Sequence, residues 1–162
     1  METKEFKTMF GKIAKSNGFK FLYGGWYKES SDCIVVLELQ RSNYSILYYL
    51  NIKIYIRGAF GEAYTVNKYI IKNDTGHIFR RQPKEYDATF DLETNLDENT
   101  RKAMLEKLFE TYVVPLTDKA LSLEGIKELI NKGLWVDSAV KEELDKKLQE
   151  KAIKAKNNVE EQ

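Results

Sequence analysis

Residues 36–57 read VLELQRSNYSILYYLNIKIYIR. Apolar and other residues alternate through both halves, which is the period of half-buried strands rather than of a helix. The odd positions Cys33, Val35, Leu37 and Leu39 form one apolar set, and the even positions Ile46, Tyr48, Leu50, Ile52, Ile54 and Ile56 form the other. An antiparallel pair with both sets on one face places Leu39 against Tyr48 and Leu37 against Leu50. Ser42-Asn43-Tyr44-Ser45 is then a four-residue loop. The reverse face carries Ile34, Val36, Glu38 and Gln40 beside Leu47, Tyr49, Asn51, Lys53, Tyr55 and Arg57, a mixed set expected to be partly covered and partly open. In this register Asn51 sits across from Val36 and diagonal to Glu38.

Working outward, residues 3–17 have the stripe of an amphipathic helix in Phe6, Phe10, Ile13 and Ala14, with Asn17-Gly18 as its left-handed exit. Gly24-Gly25 between aromatic, alternating segments predicts a two-residue hairpin loop. Residues 58–98 are broken by Gly58, Gly61, Asn73-Asp74, Gly76 and Pro83, with strand candidates near 64–71, 77–81 and 88–92. From Asn99 the period turns helical: Met104, Leu105, Leu108, Phe109, Tyr112, Val113 and Leu116 make a wide stripe that Pro115 should stop or kink. A short helix over 122–132 ends at Gly133, and a charged helix over 138–158 starts at a cap on Asp137 or Ser138. That last helix has only the narrow stripe Val140, Leu144, Leu148 and Ala152, suited to docking on an edge, to pairing with another chain, or to fraying.

Helix, then antiparallel strands, then a block of helices is the pattern of an α+β fold with helices mainly on one face of the sheet. We expect one such domain over residues 1–136 and a charged helix or tail over 137–162. The 162 residues balance 26 basic against 25 acidic groups for a net charge of +1, so there is no bulk field to draw in a polyanion. The N-terminal METKEFKTMFGKIAK lacks the apolar core of a signal peptide, and no apolar run approaches membrane-spanning length. A single cysteine excludes an intrachain disulfide. These features point to a soluble, cytoplasmic chain, with no membrane partner, no cofactor and no metal site.

Candidate chemistry is sparse. Cys33 lies on the apolar face, where a free thiol is an inert small hydrophobe. His77, the only histidine, stands near Arg80 and Arg81 in TGHIFRR; it serves as a general base in one reading and as a hydrogen-bonded strand residue in the other. GAFGEA at 58–63 has glycines but no following Lys-Ser/Thr, so it reads as loop chemistry and not as a phosphate cradle. Glu62 with Asp74, or Asp87 with Asp91, can be written as carboxylate pairs without any motif to support them. Lys53, Arg57, Arg80 and Arg81 beside Tyr49 and Tyr55 resemble a small nucleic-acid strip, but recognition signatures are missing. Asn51 in mid-strand needs a hydrogen-bond partner, from the fold or from something that binds.

The segments NGFK at 17–20, WYKES at 26–30, LQRSNY at 39–44, YYLNI at 48–52 and HIFR at 77–80 resemble a bacterial family of uncharacterised domains, DUF4304, over about the first 135 residues. The resemblance implies a small soluble bacterial domain and gives Gln40, Ser42, Asn51, His77 and Arg80 interest as motif positions without roles. The leading expectation is a non-catalytic module that binds a protein partner through the mixed face and the 58–98 loops. Gln40, Ser42, Tyr49, Asn51, Lys53, Tyr55, Arg57, His77 and Arg80 are its candidate contacts. An immunity protein that covers a toxin is the analogy for such a module. The alternatives are a small hydrolase using His77 with Arg80 or Gln40, and a single-stranded nucleic-acid binder. The C-terminal helix is available for self-association.

Overall fold

A computed structural model describes residues 1–160. The fold is α+β: a five-stranded antiparallel sheet in the order β1-β2-β3-β4-β5, with helices on both sides but most of them on one. The first helix, α1 (Thr3–Ser16), buries Phe6, Met9, Phe10, Ile13 and Ala14 and leaves through Gly18 at φ 88°. β1 (Lys20–Leu22) and β2 (Gly25–Glu29) follow. Leu22 pairs with Gly25, so the two-residue loop is Tyr23-Gly24 and not Gly24-Gly25. Both loop residues have positive φ, as a tight primed turn needs. Gly25 is already in the strand, where a Cβ would come within 2.6 Å of Ile71.

The long hairpin is β3 (Cys33–Arg41) with β4 (Tyr48–Ile56). Its faces are those expected, but its register differs by two residues: Leu39 pairs with Leu50, Leu37 with Ile52, and Asn51 with Glu38 rather than Val36. A slip of two leaves every side chain on its own face, so the apolar pattern cannot detect it. The ladder ends at Arg41–Tyr48 and the loop spans Ser42–Leu47, closed by Ser42 N donating to Leu47 O at 2.7 Å, while Ile46 and Leu47 also take partners outside the hairpin. Leu47 bridges Asp91, and Ile46 O accepts from Leu92 N at 2.9 Å.

Residues 64–71 are not a strand. Asn67 Oδ1 accepts from Ile70 N at 3.0 Å and caps a short helix, α2 (Lys68–Lys72), whose Ile70 and Ile71 press on the reverse face of the sheet. β5 (Ile78–Arg81) pairs with β4. Residues 88–92 are likewise not a strand: α3 (Asp87–Phe90) is a single helical turn there, and only Asp91 bridges. The buried Arg101 guanidinium holds this segment by donating to the carbonyls of Thr89, Asp91 and Thr94.

α4 (Glu98–Leu108) continues through a π turn (Phe109–Val113) into α5 (Val114–Ala120), so Pro115 does not stop the helix. The widened turn lies directly before Pro115, and beside it the Thr111 and Thr117 hydroxyls donate at 2.7 Å to Lys107 O and Val113 O respectively. α6 (Leu123–Asn131) starts at a Ser122 cap and crosses so close to α5 that a Cβ on Gly125 would lie 1.9 Å from Lys119 O. In α7 (Ser138–Glu160), Val140 and Leu144 enter the core, and Lys151 reaches Asp32 and Glu124 at 3.1 Å each. From Glu150 to Glu160 the helix is exposed. None of the described helices is long and apolar enough to cross a membrane.

Two apolar layers result. The larger one joins α1, α4, α5, α6 and the first half of α7 to the face bearing Leu37, Leu50, Ile52 and Ile54. The smaller one lies under α2 and contains Ile34, Val36, Tyr55, Ile70 and Ile71.

Candidate functional site

The reverse face of the sheet is divided. Its α2 half is closed. Tyr55 is 0% exposed and donates to Asp74 Oδ2 at 3.1 Å, with Ile70 O also near at 3.4 Å, while burial and Asp74 both push its phenol pKa upward. Lys53 is 1% exposed; its ammonium donates to Ile71 O at 3.0 Å and pairs with Glu38 at 3.0 Å. A charge so far out of water has to be both paired and hydrogen-bonded, and here it is. Lys53 and Tyr55 therefore belong to a packed layer and present nothing to a partner.

His77 belongs to the same layer. Its Nδ1 accepts from Ile56 N at 2.9 Å, which leaves the hydrogen on Nε2, 3.0 Å from Tyr64 Oη. The ring packs between Tyr64, Tyr55 and Phe60. Burial lowers its pKa against the opposing pull of Asp74 and Glu143. Both nitrogens are committed, so the neutral imidazole works as a strut. Arg80 is not its neighbour. β5 pairs Arg80 with Ile52 and Arg81 with Asn51, so Arg80 points to the helical side, where it donates to Phe79 O and Trp135 O. His77 and Arg80 do not converge.

Cys33 is fully buried, and its thiol is pushed up to about 12 by burial, with Asp32 and Glu124 adding to the effect. It holds no thiolate for nucleophilic or metal chemistry at neutral pH. Arg57 forms an ion pair with Glu29 at the far end of β4. Ser42 accepts from Tyr44 N in the exposed hairpin loop, away from the rest. Of the four basic residues of the expected strip, Lys53 is buried under α2, Arg57 is paired with Glu29, Arg80 is on the helical face, and Arg81 alone stacks on Tyr49. Among the described residues no three His, Cys, Asp or Glu side chains come together as a metal site would require.

The other half of the reverse face is open, and it is organised. Asn51, 3% exposed, donates through Nδ2 to Gln40 Oε1 at 2.8 Å and to Glu38 Oε1 at 3.1 Å. Its Oδ1 accepts from Arg81 Nε at 3.1 Å, and Arg81 also donates to Gln40 Oε1 at 3.3 Å. The Arg81 guanidinium lies 4.4 Å over the Tyr49 ring. Glu38, Gln40, Asn51 and Arg81 come from three adjacent strands in register, which is why a linear motif cannot show the cluster. Glu38 and Arg81 are the members that the nine candidate contacts lack, Arg81 having entered only as part of a basic strip. Strand parity could have identified it: with Ile78 in the core, Arg80 is inward and Arg81 outward.

The family described as Domain of unknown function (DUF4304) matches residues 10–119. The chain belongs to this family. The match takes in the whole sheet and ends within α5, so α6 and α7 lie beyond it. No curated protein and no solved structure matches the chain.

Proposed function

We propose that this DUF4304 domain is a non-catalytic binding module that recognises a protein partner through the open half of its reverse sheet face. The observation that supports this is the Tyr49–Arg81 pair, stacked at 4.4 Å and pinned from below by Asn51 and Gln40. Tyrosine and arginine are the side chains that most often carry interface energy, and Arg81 loses little further freedom on binding because its geometry is already set. The hydrolase reading has no comparable support, since both nitrogens of His77 are occupied and Arg80 is on the other side. Neutralising a toxin is one form this binding would take.

Affinity capture from lysate of the source cells, comparing the wild-type chain with Tyr49→Ala/Arg81→Ala, tests the reading. A protein enriched by the wild type and lost from a folded double variant supports it. Equal recovery by both would remove this face from consideration.

A further inference from the structure

A second surface lies on the helical side, at the β1 edge. The apolar face of the sheet extends past α1 there: Phe21 pairs with Trp26, their rings are 5.4 Å apart, and Phe21 remains 65% exposed. Gly11 of α1 packs against the Trp26 indole, a Cβ there lying 3.4 Å from it, and a trough runs beside this contact. The trough holds about 570 Å³ and continues into a further space of about 710 Å³ toward the start of α1. Lys7, Lys12, Lys15 and Lys20 line the first part, with no carboxylate among its lining residues. None of these four lysines forms an ion pair among the described residues.

We infer that this trough binds an acidic peptide segment, with an apolar side chain against Trp26 and Phe21 and its carboxylates on Lys12 and Lys15. Lysines without an ion-pair partner around an aromatic floor complement a short anionic chain with an apolar anchor. β1 pairs only with β2, so its outer edge also offers backbone groups to an extended chain. A nucleic acid or an anionic membrane fits less well. Glu2 and Glu38 line the continuing space and confine an anionic stretch to the lysine-lined part, which suits a short peptide and not a long polyanion, and the whole chain carries a net charge of only +1. The lysine-lined part lies on the opposite face from the Tyr49–Arg81 pair and stands or falls separately from it, while the continuing space reaches round to Glu38 and Lys72 of the reverse face.

The test is fluorescence anisotropy of a labelled peptide of alternating Glu and Leu residues against the full chain. Saturable binding is expected, at least about tenfold weaker in Lys12→Glu/Lys15→Glu and unchanged in Lys154→Glu on the distant part of α7. Phe21→Ser should weaken it too, and because that side chain is largely exposed the variant stays folded even if the charge reversals do not. Absence of saturable binding, an equal loss in Lys154→Glu, or tighter binding of labelled oligothymidylate or phosphatidylserine vesicles would each overturn the inference.

Discussion

Asn51 and Arg81 face each other across β4 and β5, and the Asn51 carbonyl oxygen fixes the arginine at 3.1 Å. One buried amide thereby orders three neighbours, because its nitrogen also serves Gln40 and Glu38. Such a position couples stability to surface shape. Asn51→Ala should cost about 1–3 kcal/mol, since it leaves Arg81 Nε without its acceptor and takes one donor each from Gln40 Oε1 and Glu38 Oε1. Thermal unfolding measures this. An unchanged melting temperature would mean that the amide does not hold the cluster together.

Lys53 and Glu38 form the buried end of the same network, with side chains 2% and 17% exposed. Glu38→Ala strands the ammonium under α2 and should destabilise by about 3 kcal/mol. Replacing both partners, Glu38→Leu with Lys53→Met, should recover most of that loss, because no buried charge then remains unpaired. Chemical denaturation of the three proteins checks it; a double variant as unstable as the single would show that the pair itself is the stabilising element.

His77 gives stability a pH dependence of known sign. Burial lowers its folded pKa below 6.5, so the unfolded chain takes up a proton first as the pH falls. Its contribution is complete above pH 6.5, declines below it, and levels off once the folded imidazole is itself protonated. Protonation breaks the bond from Ile56 N to Nδ1. With a single histidine in the chain, one imidazole NMR signal reports the titration directly. In His77→Gln the decline below pH 6.5 should flatten, and a midpoint at or above the ordinary histidine value would contradict the burial argument.

Cys33 should be inert. With its thiol raised to about 12 inside β3, an aromatic disulfide reagent at mildly alkaline pH should react only as fast as the chain unfolds. Rapid stoichiometric labelling of the native protein would reveal an accessible, activated thiol and reopen nucleophilic chemistry.

The sequence carried the faces of β3 and β4 clearly, because a period of two survives any slip by an even number of residues. The register did not show, since the pull of Asp91 and Leu92 on Ile46 and Leu47 is long-range. α2 was hidden by Val66, Ile70 and Ile71, whose β-branched run reads as a strand; the opposing signal was a single residue, the Asn67 cap. Asn51's need for partners was legible as a mid-strand amide. Arg81 entered only as one of a basic strip together with Arg80, because choosing between the two depends on the parity of a four-residue strand.

The most direct measurement is site-specific photo-crosslinking in the source cells, with a benzophenone amino acid replacing Tyr49. The account predicts one dominant protein adduct at that position, absent when Arg81→Ala is added and absent from a probe placed at Ile153 on exposed α7. No adduct at Tyr49, or the same adducts from both positions, would contradict recognition through the open sheet face.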